Sequence, residues 1–444
     1  MPELSLVMIV KNEERQLLHC LDSVRDIVND AVVADTGSSD RTVDVAREWG
    51  ARVMEVPWTD DFSAARNTAL AAAAGDWVLH LDADEYVDPE SARAIRRLLE
   101  QEDLAADAVE VLIANYCDDA RAWRWQPAAP GSPYAHSFSG YIPVPLLRLF
   151  RNRRGFYYSE PVHENITQSV AERGGRVLPR HDIVIHHYGY HQESQRRGAK
   201  AELYLRIARQ KRELAPRDLK ALHDLAEQAL ACGLTDEAEN ACREALAMDP
   251  MHIPAIMTLA NICLNRGDLA EAYRLLARIE AAPEAPAHVS IGLSAIEYRE
   301  GRQLQAMSRL ERLLEREPHA LLARLYLARI YDRFGSPDRA LRQLELAHLS
   351  APTIKEFKER LAALKQRRNA EQYFQNGMAP EALETLVSAL RLDPEDPLIH
   401  NDLGVVLHAL DQPAKAAESF RRALQLAPGL ADAEENMKRI KNKG

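Results

Sequence analysis

The 444-residue sequence predicts an α/β N-terminal half followed by an all-α repeat solenoid, and three observations predict it. Short apolar runs alternate with helical patterns through the first half. Prolines, glycines and alanines then recur at one fixed interval through the second. The densest polar motifs stand where the apolar runs end, which is where open α/β sheets bind their ligands.

Leu4 to Val10 reads as a buried strand, and a helical pattern follows from about Glu14 to Val24. Ala31 to Ala34, Arg52 to Val56 and Trp77 to Leu81 repeat the theme, with helical stretches after the second and third strands. Strands spaced by helices of this length predict a mostly parallel sheet with right-handed crossovers. The strand ends carry Lys11-Asn12-Glu13, then Asp35-Thr36-Gly37-Ser38-Ser39-Asp40, then Asp82-Ala83-Asp84-Glu85. No Gly-x-Gly-x-x-Gly follows the first strand, which disfavours a dinucleotide cofactor.

In the second half, Pro216, Pro250, Pro318 and Pro352 are separated by 34, 68 and 34 residues. Gly233, Gly267, Gly301 and Gly335 follow these markers at one offset, and Ala238, Ala272, Ala306 and Ala340 at another. An eight-residue insertion after Pro352 shifts the frame, which resumes at Gly377, Ala382, Pro394, Ala416 and Pro428, giving about six units. Glycine permits positive φ at a tight turn, alanine lets two helices approach, and proline ends the second helix. The period resembles the tetratricopeptide repeat, a helix-turn-helix unit. Stacking the first helices places His223, Glu227, Asn261, Asn265, Arg329, Arg333, Asn401 and His408 near a concave surface, as groove residues or as solvated helix faces. The expected domains are residues 1–215 and 216–444.

Fifty-six basic against 67 acidic residues leave a net charge of −11, which gives no general attraction for nucleic acid or an anionic membrane. Five cysteines, odd in number and without a Cys-x-x-Cys pair, fit a reducing compartment. The apolar run at Leu4 is too short for a transmembrane segment and lacks the flanks of a signal peptide, so the expected address is cytoplasmic.

Four motifs carry a second resemblance. Val10-Lys11-Asn12-Glu13-Glu14, Ala34 to Asp40, Asp61-Phe62-Ser63-Ala64-Ala65-Arg66-Asn67 and Leu81-Asp82-Ala83-Asp84-Glu85 resemble, in order and spacing, the family 2 glycosyltransferases of the GT-A fold. The likeness covers about residues 3–200. It is similar to the branch that carries tetratricopeptide repeats, which includes peptide glycosyltransferases of the sublancin type; lipopolysaccharide-core glucosyltransferases share the N-terminal signature.

Asp82 and Asp84 form the short Asp-x-Asp arrangement that presents carboxylates to Mg2+ or Mn2+ on a nucleotide diphosphate. The resemblance implies a UDP-sugar donor, with Asp82 nearer the ribose and Asp84 nearer the metal. It also implies that Asp35 reads the uracil or ribose, although Thr36 stands where many members have a second Asp. Ser39 or Asp40 reads equally as a cap for the helix near Arg41. Lys11, Asn12 and Glu13 are expected to line the same pocket, and Arg66 to position the donor or to make an ordinary helix salt bridge.

Inverting transfer needs a base for the acceptor proton. Val162-His163-Glu164 matches the branch, making Glu164 the first candidate and His163 the second, with Asp118 and Asp119 behind them. A structural hydrogen bond is the other reading for both. Ile185-His186-His187-Tyr188-Gly189-Tyr190 also matches the branch, and His187 is the position that would complete the metal shell, or else be a satisfied histidine at a strand end. Arg148, Arg151, Arg153 and Arg154 read as a basic stretch drawn to a diphosphate or as a solvated turn.

Together these readings predict a metal-dependent inverting transferase whose acceptor is a peptide or protein recruited by the repeats, or whose repeats pair two copies as a homodimer. The alternatives are a transferase acting on a lipopolysaccharide or other surface glycan, and a non-catalytic repeat adaptor.

Overall fold

The computed structural model describes residues 2–441 apart from 102, 120–124, 130, 163, 190–193, 283, 284 and 353, and describes 194–200 by backbone alone. The chain divides into two units, Met1–Ala281 and Ala282–Gly444.

The first unit opens with β1 (Leu4–Val10), α1 (Leu17–Ser23), β2 (Asp30–Asp35), α2 (Thr42–Trp49), β3 (Arg52–Glu55), α3 (Phe62–Ala72) and β4 (Trp77–His80). Then come β5 (Glu85–Val87), α4 (Pro89–Leu99), β6 (Ala108–Cys117), β7 (Gln126–Pro127), β8 (Gly140–Arg151), α5 (Thr167–Glu172) and β9 (Val177–His187). Helices α6 (Ser194–Leu214), α7 (Leu219–Ala231), α8 (Thr235–Met248), α9 (Ile253–Arg266) and α10 (Leu269–Ile279) complete the unit.

Among the described residues nine strands join one sheet, in the order β3-β2-β1-β4-β8-β6-β9-β5 with β7 on β8. Strand β1 is buried on both faces, which explains its unbroken apolar run. Leu4, Leu6, Met8 and Val10 pack with Leu17, Leu21, Ala46, Ile95 and Leu98 on one side. Val7 packs with Val32, Ala34, Ala69, Phe150 and Val170 on the other, so the period-two alternation separates the α1/α2/α4 layer from the α3/α5 layer.

Strands β1 to β4 pair in parallel, as their spacing predicted. The remainder of the sheet is mixed: β8 runs antiparallel to both β4 and β6, while β6 and β9 are parallel. Strand β5 leaves β4 altogether and pairs antiparallel with β9, setting Glu85 opposite His187. The Asp82-Ala83-Asp84 segment therefore crosses between two separated places in one sheet.

The second unit holds α11 (Ala287–Arg299), α12 (Gln303–Arg316), α13 (Leu321–Arg333), α14 (Pro337–Ser350), α15 (Lys355–Gln375), α16 (Ala379–Leu392), α17 (Pro397–Ala409), α18 (Pro413–Leu426) and α19 (Ala431–Lys441). Helices α7 to α18 form the six pairs that the period predicted. Each inferred turn glycine, Gly233, Gly267, Gly301, Gly335 and Gly377, has φ between +67° and +83°. The column alanines Ala238, Ala272, Ala306, Ala340, Ala382 and Ala416 are fully buried. The eight-residue insertion lengthens a helix: α15 has 21 residues where α13 and α17 have 13 each. Eight residues are about two helical turns, so the added segment extends the helix and leaves the turn glycine in register.

Candidate active site

The loops after β1 and β2 are tied to each other before they meet any ligand. Asn12 adopts a left-handed φ of +58°, its amide donates to Ser38 Oγ (2.9 Å), and its carboxamide oxygen accepts from the Ser39 amide (2.7 Å). The Glu13 amide donates to Thr42 Oγ1 (2.7 Å). Asp35 is buried, and one of its oxygens accepts the amides of Gly37 and Ser38, both at 3.0 Å. Asp40 accepts from the Thr42 amide at the start of α2 (3.0 Å), the capping role read for it. Lys11 is exposed at the rim. Asn12 and Asp35 thus use side-chain hydrogen bonds to shape the turns.

Arg66 organises the opposite side. Asp61 caps α3 by accepting the Ala64 amide (3.0 Å), and one turn later Arg66 enters the interior. Its Nη2 donates to Asp82 Oδ1 (2.7 Å) and its Nε to Glu164 Oε1 (2.5 Å), so one guanidinium holds both carboxylates. Next to it, Asn67 donates to the Tyr158 carbonyl (2.9 Å) and accepts the Tyr158 amide (2.8 Å), fixing α3 to the segment that leads to Glu164. Among the described residues no hydrogen bond engages Glu164 Oε2. His163 lies outside the described residues. Asp118 accepts the amide and hydroxyl of Ser139, at 2.7 and 2.8 Å, and serves as a loop clasp.

For Arg148 the solvated-turn alternative does not hold. This arginine lies within β8, is buried, and donates to Glu85 Oε1 (2.7 Å) and to Asp82 Oδ2 (3.3 Å). The β4/β8 register, with Leu79 opposite Leu149, delivers it to the base of the motif. Three groups to which the sequence reading gave no role complete the cluster. Glu85 accepts the Asp82 amide (2.8 Å), His80 packs against Arg148 (2.8 Å), and Asn115 comes in from β6.

The charges explain the titration behaviour. Burial pushes Asp82 up, but the Arg66 and Arg148 guanidinium groups outweigh it and hold the carboxyl well below the usual range. Glu85 is raised to about 7 by burial and by the Asp82 charge, against the pull of Arg148. Burial, Arg148 and Arg66 together press His80 well below its ordinary value, so it stays neutral.

Asp84 and His187 meet across the β5/β9 register, with Asp84 Oδ2 3.3 Å from His187 Nε2. Asn115 Oδ1 lies 2.7 Å from His187 Nδ1 and orients the ring so that Nε2 faces the carboxylate. Burial lowers the His187 pKa, but the Asp84 hydrogen bond and the charges of Asp84, Glu85 and Asp82 raise it further, leaving it above its ordinary value. Gly189 leaves the flank of the pair open: a Cβ there would stand 2.6 Å from His187 Nε2 and 3.0 Å from Asp84 Oδ2.

Among the described residues no group of three or more His, Cys, Asp or Glu side chains converges on one point. A carboxylate and an oriented imidazole side by side, with a glycine rather than a side chain against them, nonetheless fit Mg2+ or Mn2+, which takes one or two protein ligands and fills its shell with phosphate oxygens and water. Asp82 stands apart from that pair, on the arginines.

Residues 5–166 match the model of Glycosyl transferase family 2, and tetratricopeptide repeat models match residues 229–290, 296–353, 370–411 and 397–430. A TPR repeat-containing protein of Synechococcus elongatus is 31% identical over 440 residues, covering 96% of this chain and 92% of that protein. The SPbeta prophage-derived glycosyltransferase SunS of Bacillus subtilis is 23% identical over 60% of each chain. An uncharacterized glycosyltransferase of Rickettsia typhi is 36% identical over 20% of this chain and 30% of its own length. The chain belongs to the family 2 glycosyltransferases, with an N-terminal transferase domain and C-terminal tetratricopeptide repeats.

Proposed function

We propose that the chain is a metal-dependent inverting glycosyltransferase that moves a sugar from a UDP-sugar to a peptide or protein acceptor recruited by the repeats. The observation that carries this reading is the convergence of Asp84 and an oriented His187 beside the Arg66-held pair Asp82 and Glu164.

Asp84 and His187 would hold Mg2+ or Mn2+. When bound, the ion supplies charge neutralisation on the departing diphosphate. Asp82 stays ionised beside Arg66 and Arg148 and orients the ribose side of the donor. Lys11 and the turns shaped by Asn12, Glu13 and Asp35 border the nucleotide. Glu164 is held through Oε1, and its Oε2 takes the acceptor proton as the acceptor heteroatom bonds to the anomeric carbon. The bond from that carbon to the phosphate oxygen breaks on the far side, and its electron pair leaves with UDP.

The peptide branch of the proposal draws support from a cavity of about 550 Å3 in the second unit. Arg299, Arg329 and Arg333 line it beside Tyr298, Leu398 and Leu426. Among the described residues none of these three guanidinium groups pairs with a carboxylate, while burial and the nearby Arg360 lower the Arg329 pKa. Asp332, Asp393, Glu395 and Asp396 line the same cavity, so it offers both charges beside apolar surface to a polar chain segment.

Mn2+-supported hydrolysis of a panel of UDP-sugars tests the reading. Slow hydrolysis that a chelator abolishes is expected. Neither hydrolysis nor nucleotide binding would support the adaptor reading, and labelling of a surface glycan in extracts instead of protein would support that acceptor.

A further inference from the structure

Two acidic residues of the first unit sit in left-handed backbone, Asp60 at φ +59° and Glu160 at φ +76°. Both flank the candidate site. Asp60 immediately precedes the Asp61 cap of the helix that carries Arg66, and Glu160 lies in the short loop whose ends pair at Ser159 and Asn165 and which contains Glu164. Such backbone is costly for a side chain larger than glycine, and it persists only where its surroundings determine it.

The surroundings in both cases come from the helices that follow the catalytic sheet. Arg206 on α6 donates to Asp60 Oδ2 (2.6 Å). Lys211 on α6 and Lys220 on α7 both donate to Glu160 Oε2, at 2.7 and 2.6 Å. Lys211 is itself held by Asp224 on α7 (2.7 Å), and Tyr204 on α6 meets the ring of Phe62 edge-on at 5.8 Å. The Phe62 amide donates to the Pro161 carbonyl (3.0 Å), so the loop and the start of α3 are joined directly. Burial raises the Glu160 pKa, but the two lysines outweigh it and keep the carboxylate ionised.

We propose that α6 and α7 form a strap that positions the catalytic loop, with Glu160 as the positioning residue through which it acts on Glu164 and Arg66. The first repeat helix is then a working part of the transferase rather than only the start of a docking array. A glycine would relieve the backbone at position 160, so the glutamate is explained by its grip on the two lysines.

The inference rests on Glu164 and Arg66 being active-site groups. The test uses the full chain with Glu160→Gly, the pair Lys211→Met and Lys220→Met, and all three substitutions together. Hydrogen exchange at the Phe62, Ser159 and Asn165 amides is read beside Mn2+-supported hydrolysis of UDP-glucose and UDP-N-acetylglucosamine. Glu160→Gly should keep the thermal midpoint, since relief of the backbone offsets the lost ion pairs. It should speed exchange at the three amides about tenfold. It should lower kcat about tenfold and change KM for the donor less than about twofold. The lysine pair should reproduce the faster exchange and the kcat loss at a lower thermal midpoint, since it leaves position 160 strained and Asp224 without Lys211; the triple variant should add nothing to the exchange or kcat change, and the charge-keeping pair Lys211→Arg and Lys220→Arg should retain turnover.

Unchanged exchange in Glu160→Gly, unchanged kcat, or losses that multiply in the triple variant would each overturn the strap. Full turnover by Glu164→Gln, with fast exchange in Glu160→Gly, would remove the base assignment and with it the step the strap is proposed to serve.

Discussion

Arg66 bridges Asp82 and Glu164 from a buried position, and that makes it the most demanding single side chain in the site. Removing one partner from a buried ion pair leaves charge without compensation. Arg66→Met should therefore cost about 3–5 kcal/mol of stability and abolish turnover, as denaturant titration and donor hydrolysis would report. Asp88 gives a residue-scale prediction in pH. Burial raises its pKa, but hydrogen bonds from His186, from the Ser91 amide and hydroxyl and from the Glu90 amide lower it more. The depressed folded pKa means that its stabilisation is fully present above the unfolded value and is lost as pH falls from there through the lower folded value. Asp88→Asn, which still caps α4, should melt below the wild type at pH 7, with a gap that begins to narrow only below about pH 4 and persists at pH 3.

At this scale the sequence revealed motifs better than partners. Asp82, Asp84, Arg66 and His187 stand in recognisable strings, and the structure brings them to one end of the sheet. Glu85, although it stands in the Asp82 string, and His80, Arg148 and Asn115 could not be given partners, because their roles depend on which strands become neighbours. Only the β4/β8 pairing puts Arg148 under Asp82, and only the β6/β9 pairing puts Asn115 beside His187. Three carboxylates and two guanidiniums in one interior would have been a signal, had the strand order been known.

Among the elements, the short strand β5 does the most to build the site. By leaving β4 and pairing with β9 it separates Asp82 from Asp84 and carries the latter to His187. Alternating hydrophobicity cannot show this, since three residues are too few to carry a period. Gly189 follows the same strand pair, and a methyl group there would meet both Asp84 and His187. Gly189→Ala should weaken Mn2+ binding, measured by calorimetry, about tenfold with little change in melting. In the repeats, Gly404 lets α17 approach α18, and a Cβ at that position would stand 2.5 Å from the Phe420 ring. Gly404→Ala should destabilise the last repeat by about 1–3 kcal/mol through overpacking, seen as an earlier helical unfolding step by circular dichroism. The repeat elements were the most legible part of the chain, because a fixed period in proline, glycine and alanine encodes each turn, each close approach and each helix end separately.

For the whole molecule, the passage from α/β to all-helical architecture was readable, with 215/216 as the proposed domain boundary. The grouping was less so: α6 to α10 belong with the transferase sheet in the unit Met1–Ala281, and α11 to α19 form the other. Side-chain contacts at Asp60 and Glu160 account for part of that grouping, and nothing in the repeat period announces them. No described helix is long and apolar enough to cross a membrane. The central claim is that Asp84, paired with His187, holds a divalent cation on a nucleotide diphosphate. Calorimetric titration of UDP into the full chain with and without Mn2+, repeated on Asp84→Ala, tests it most directly. The account predicts Mn2+-dependent binding to the wild type that Asp84→Ala loses while keeping its helical circular dichroism; equal affinity in both proteins, or binding indifferent to Mn2+, would contradict it.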